Sequence, residues 1–218
     1  MRQSKITPFE PLLYGLKNAF VAELSCIYDM TKACMITDNA WSQFQTDIPL
    51  IPEVSETSPW IKNIIAIAFE ICIWRQLESE GMSLDDISAL TCKVLAMTMG
   101  TLPPEAMNNM QNMILSESYI EMKANDSAAL DACCNWKFKV IYPVGSDTFD
   151  IGMDIHSCPV ITLCNNLGVA RYARYFCQND YATYAAFGIK LTRTRTLAEG
   201  GESCDFRLTK MDKIPSEI

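Results

Sequence analysis

Apolar residues recur at helical spacing through roughly the first 130 positions and at alternate positions after that. Leu16, Phe20, Leu24 and Ile27 lie on one helical face, predicting an amphipathic helix from about Leu12 to Cys34 behind Pro8 and Pro11. Thr37 to Glu56, with Pro49 and Pro52, reads as a loop. A second helix is expected from about Pro59, capped by Ser58 and closed near Gly81. Ser83 with Asp86 three residues on approximates a capping box for a third helix ending before Gly100. Pro103-Pro104 opens a fourth, running to about Asn125, whose Met107, Met110 and Met113 suit core filling before a partner groove.

The period then changes. Trp136, Phe138, Val140 and Tyr142 form one alternating set, and Phe149, Ile151, Met153 and Ile155 a second beyond the turn at Gly145-Ser146-Asp147. Leu167-Gly168 is expected to open a helix reaching about Asn179. Ile189, Leu191, Arg193, Arg195 and Leu197 share one face of a third strand. Ala198 to Ser203, with Gly200-Gly201, turns the chain into a fourth, on which Cys204, Phe206 and Leu208 point together. The fold class expected is α+β: an N-terminal helical region, then an antiparallel sheet of about four strands with a helix inserted between strand pairs. Residues 1–218 read as one domain, helical over 1–130, with 131–218 carrying sheet, helix and candidate chemistry.

Composition narrows the function classes. A net charge of −8 gives a nucleic-acid partner no electrostatic support. The most apolar run, Ile64 to Trp74, is interrupted by Glu70 and too short to span a bilayer, so no membrane partner is expected. MRQSKITPFEPLL is too short and polar for a signal peptide, and most of the ten cysteines sit in apolar helical runs. A reducing cytoplasm and free thiols are therefore expected, adjacent Cys133-Cys134 included. The composition is also compatible with a homo-oligomer.

Chemistry concentrates between His156 and Arg207, which hold the only histidine and four of the cysteines. Cys158 ends its strand, because Pro159 forbids a central strand from continuing. His156, two residues earlier, lies on the same face by parity and offers an imidazole to lower the thiol's pKa. A surface histidine beside an inert buried cysteine is the plainer alternative. His156, Cys158, Cys177 and Cys204 are soft donors, yet no C-x-x-C pair or zinc spacing joins them, and neither metal nor cofactor is expected. Cys177 and Asp180 share a helical face. Arg193 and Arg195 on an apolar strand face require a carboxylate or a cavity; an edge strand whose ends reach solvent, or an internal Arg–Asp pair, is the plainer alternative.

The order Cys158-Pro159, Leu167-Gly168, Cys177 with Asp180, Leu191-x-Arg193-Thr194-x-Thr196-Leu197, Gly200 and Cys204-Asp205-Phe206-Arg207 resembles the L-2-amino-thiazoline-4-carboxylic acid hydrolase family. Tyr181 to Gly188 departs from the family's Gly-Phe-x-Pro-type segment, with Phe187-Gly188 a permuted remnant. The resemblance implies ring opening of a small cyclic amidine substrate to a carbamoyl-cysteine, within cysteine metabolism. With it, Asp180 suits the cationic amidine, Arg193 the substrate carboxylate, and Cys158 or Cys204 the nucleophile or acid, unless the motif cysteines instead fix the fold. His156 joins the catalytic set through its pairing with Cys158, and Cys177, Thr194 and Thr196 join substrate binding. A non-catalytic small-molecule binding or sensor domain is the alternative, since fold does not fix function.

Overall fold

The computed structural model describes residues 1–54, 58, 60–100, 102–129 and 135–211. A short α1 (Gln3–Ile6) and a 3₁₀ turn lead into α2 (Glu10–Leu24) and α3 (Met30–Asp47). The single helix expected from Leu12 to Cys34 is therefore two. The chain turns after Leu24, and the Asp29 carboxylate restarts it by accepting the Lys32 N–H at 2.8 Å. Helix α3 also takes up much of the expected loop. Ala33, Ile36, Thr37, Ala40 and Phe44 supply a buried stripe, while Asp38, Asn39, Ser42 and Thr46 lie on its exposed face.

Helix α4 (Ile61–Ser79) is the hub of the helical region and is buried nearly all round. It begins two residues later than expected: Trp60 holds the cap position without a side-chain bond, and Pro59 lies outside the described residues. Its Trp74 is fully buried, donating from Nε1 to Thr91 Oγ at 2.9 Å and stacking on Phe176 at 4.5 Å. Helix α5 (Leu84–Gly100) starts at the expected cap, where the Ser83 hydroxyl accepts the Asp86 N–H and donates to its carboxylate. The expected fourth helix is two, α6 (Pro104–Ile114) and α7 (Glu117–Ala129), parted at Leu115-Ser116. Met107 is buried and Met110 packs against the same core, whereas Met113 is 41% exposed and leaves the stripe.

Strands β1 (Lys137–Ile141), β2 (Ile151–Ser157), β3 (Ile189–Thr192) and β4 (Cys204–Lys210) form one antiparallel sheet in the order β1-β2-β4-β3. Between β2 and β3 run α8 (Pro159–Asn166) and α9 (Ala173–Ala186). Leu167-Gly168 therefore closes a helix instead of opening one. Gly168 sits at φ +70° while its N–H and that of Val169 bond back to Asn165 and Cys164, a left-handed helix stop that favours glycine. Pro159, at the first helical position, shows why the helix begins earlier. The inserted helix also continues beyond Asn179 to Ala186.

Two apolar cores result. One joins α2 to α5 with α8 and α9 around Phe20, Phe44, Phe69, Trp74 and Tyr172. The other lies on the sheet, around Phe138, Ile151, Met153, Ile155, Ile189, Leu191, Phe206 and Leu208. Trp136 packs against both. Among the described residues, no helix is long and apolar enough to cross a membrane.

Candidate active site

A cavity of about 140 Å³ opens at the seam between the two cores. That is below the ~300–1,000 Å³ of pockets for drug-sized ligands, so it suits a smaller molecule. Trp60, Asn63 and Ile67 wall it from the α4 side, Trp136, Met153 and Ile155 from β1 and β2, and Phe206 from β4. Its chemistry comes from Cys158, Cys177, Asp180, Tyr184, Arg193 and Cys204.

Arg193 follows the last residue of β3, and its side chain is only 3% exposed. Nη1 donates to Asp180 Oδ2 at 3.1 Å, and Nη2 to the Cys177 carbonyl at 2.6 Å. The guanidinium carbon lies 5.1 Å from the Tyr181 ring centroid and 4.9 Å from that of Phe206, a cation–π enclosure. Nε is buried and, among the described residues, has no partner. A buried donor left unpaired costs about 1–3 kcal/mol, so this N–H is free to take an acceptor.

Asp180 keeps 38% of its side-chain surface accessible while lining the cavity. That surface lies within a concave space whose walls include Trp60, Trp136, Phe176 and Phe206. Enclosure pushes the carboxyl up to about 6, against the opposing pull of the Arg193 charge and hydrogen bond. The thiols are held protonated. Burial raises Cys158 to about 12, although the Val160 and Ile161 N–H groups at the start of α8 pull it down. Burial likewise raises Cys177, with Asp180 adding to it, and raises Cys204, whose sulfur accepts the Leu197 N–H at 3.2 Å. Cys158 and Cys204, 46 positions apart, line one cavity, as does Cys177 from α9.

Other expectations change. His156 is exposed and does not line the cavity. Parity put it on the face of Cys158, but β2 pairs Ile155 with Phe138 and Ser157 with Lys137, leaving His156 as the extra residue of a β-bulge. The bulge flips the alternation, so Cys158 turns inward while His156 stays out. Arg195 is exposed too, because the strand ends at Thr192 and the alternation expected to Leu197 stops with it. Its Nε donates to Ser203 Oγ. Thr194 is exposed and its hydroxyl donates to Asp205, while Thr196 is buried and caps the 3₁₀ turn by accepting the Glu199 N–H. Neither threonine lines the cavity.

Asn63, Ile67 and Trp60 carry no mark in the sequence reading, and Trp136 enters it only as a strand residue, yet all four line the cavity. Asn63, four residues before Ile67 at the start of the apolar run of α4, was the available signal. The described cysteines Cys26, Cys34, Cys72, Cys92, Cys158, Cys164, Cys177 and Cys204 are free, and Cys133 and Cys134 lie outside the described residues. Among the described residues, no group of three or more His, Cys, Asp or Glu side chains is arranged to hold a metal ion.

The family model for L-2-amino-thiazoline-4-carboxylic acid hydrolase matches residues 63–208, a span that contains every residue lining the cavity except Trp60. No curated protein and no solved structure matches the chain. With well over half its length matched, the chain belongs to that family.

Proposed function

We propose that this member of the family is a hydrolase that opens a small cyclic amidine bearing a carboxylate, of the 2-amino-thiazoline-4-carboxylate kind. The observation that carries the reading is Arg193: a guanidinium enclosed at the cavity, paired to one carboxylate, with Nε unpartnered among the described residues. An arginine so held suits a ligand carboxylate. The Arg193–Asp180 pair is neutral overall, which matches a substrate carrying one carboxylate and one amidinium.

In this reading water attacks C2 of the ring, and its proton passes to Asp180. The C2–S bond then breaks, and the sulfur leaves and takes up that proton. The exocyclic and ring nitrogens both stay on the new carbonyl, so substrate plus one water gives an N-carbamoyl-cysteine with a free thiol. Asp180, raised to about 6, is ionised near neutrality yet basic enough to accept a proton. The thiols of Cys158, Cys177 and Cys204 are all raised, which favours water over a resting protein thiolate as nucleophile. Cys158 and Cys204 then act as neutral walls and hydrogen-bond donors.

The test is to incubate purified protein with L-2-amino-thiazoline-4-carboxylate and follow carbamoyl-cysteine by mass spectrometry. Product formation that disappears in Asp180→Asn supports the reading. Tight binding without product, in wild type and variant alike, assigns the chain to ligand binding alone.

A further inference from the structure

Strand β3 pairs with β4 only as far as Thr192 opposite Arg207. Just beyond, Asp205 takes over the role of a strand partner. Its carboxylate accepts the Thr194 N–H at 3.0 Å, the Thr194 hydroxyl at 2.7 Å and the Arg195 N–H at 2.8 Å. Two successive amides converging on one carboxylate cannot belong to a strand, whose N–H groups alternate in direction. The chain bends there, Thr194 and Arg195 both face solvent, and Arg193 alone stays turned inward.

Asp205 lies between two cavity residues, Cys204 and Phe206, and the Phe206 ring packs against the Arg193 guanidinium. It is 8% exposed and sits directly across from Asp154 of β2, a like-charge pairing that disfavours the sheet. Asp154 is neutralised by Arg207 at 2.9 Å, so the bend carries the Asp205 charge.

We propose that Asp205 is the positioning residue of the site: by gripping Thr194 and Arg195 it sets the bend that aims the Arg193 guanidinium at Asp180 and into the cavity. The functional meaning rests on Arg193 being the ligand-binding residue, whereas the placement can be tested with no substrate present.

The experiment titrates the Asp180 side-chain carboxyl by carbon-13 NMR in wild type, Asp205→Asn, Arg193→Ala and the double variant, each first shown to unfold cooperatively. Loss of aim removes the Arg193 charge from Asp180, so Asp205→Asn should raise the Asp180 midpoint by about one pH unit. Deleting the Asp205 charge by itself acts in the opposite direction, so a rise reports the arginine. In the Arg193→Ala background the second substitution should produce no further rise. An unchanged midpoint in folded Asp205→Asn, or the same rise with and without Arg193, overturns the proposal. Should Asp205→Asn not fold, Thr194→Val removes one of the three bonds. A smaller rise that Thr194→Ser does not show then supports the proposal, and no rise overturns it. Failure of the hydrolase reading appears instead as absent product with this titration intact.

Discussion

At the scale of single residues, the site is an exercise in making a buried charge tolerable. Arg193 has an ion pair, a carbonyl and two ring faces, and the donor left over is what a ligand would complete. Arg193→Ala should lower kcat/KM by about 2–3 kcal/mol, or roughly 30- to 150-fold, mainly through KM, with the fold intact. Unfolding of that variant would make the pair purely structural. Asp180 sets a pH limit. Its folded value of about 6 lies above the ordinary 3.8, so activity that needs the carboxylate should fall as pH drops through about 6. Stability runs the other way: the folded state holds the proton more tightly, so this group's contribution declines from about pH 4 to about pH 6 and is flat above. Arg193 and Asp180 were legible because a charge on an apolar face and a carboxylate on a shared helical face are local patterns. For His156 and Arg195 the plainer alternatives hold, a surface histidine and a strand end at solvent, because alternation stops at a bulge and at a strand end that no side chain announces.

At the scale of elements, the sheet was more legible than the helices. Strand faces repeat every second residue, and β2 and β4 show theirs plainly as buried Ile151, Met153 and Ile155 and buried Cys204, Phe206 and Leu208. Helix breaks were harder to see, since α2 and α3 part without glycine or proline and α6 and α7 part at Leu115-Ser116. Gly168 stands out in the sequence but closes a helix where the pattern suggests an opening, because a glycine beside an apolar run suits either end until the bonding is known. Its φ of +70° makes Gly168→Ala a clean test of the α8 stop. The substitution has open space around it, so the cost should be backbone strain alone, about 1 kcal/mol. Denaturant unfolding should show a lower midpoint with an unchanged slope.

At the scale of the molecule, a helical core and a sheet core meet along a seam, and the cavity occupies it. The order of helical region, sheet and inserted helices could be read from the change of period near residue 130. The seam could not, because it depends on α4 meeting β2 and α9 across long sequence separations. The helical core carries its own liability in Glu70, 4% exposed and raised by burial to about 8. Its charge also acts on the nearby Cys92. Because the folded value exceeds the ordinary 4.5, stability should decline as pH rises from about 4.5 to about 8. Glu70→Gln should remove most of that slope and stabilise the protein at pH 9 by up to roughly 4–5 kcal/mol. Chemical denaturation at pH 5 and pH 9 checks it, and parallel slopes for the two proteins would refute it.

The most direct test compares two ligands that differ by one group: L-2-amino-thiazoline-4-carboxylate and the same ring without its carboxylate. With Arg193 reading the carboxylate beside Asp180, wild type should prefer the acid by about 30- to 150-fold in kcat/KM, and Arg193→Ala should lose most of that preference. An undiminished preference in Arg193→Ala, or turnover of neither ring by wild type, would contradict the account.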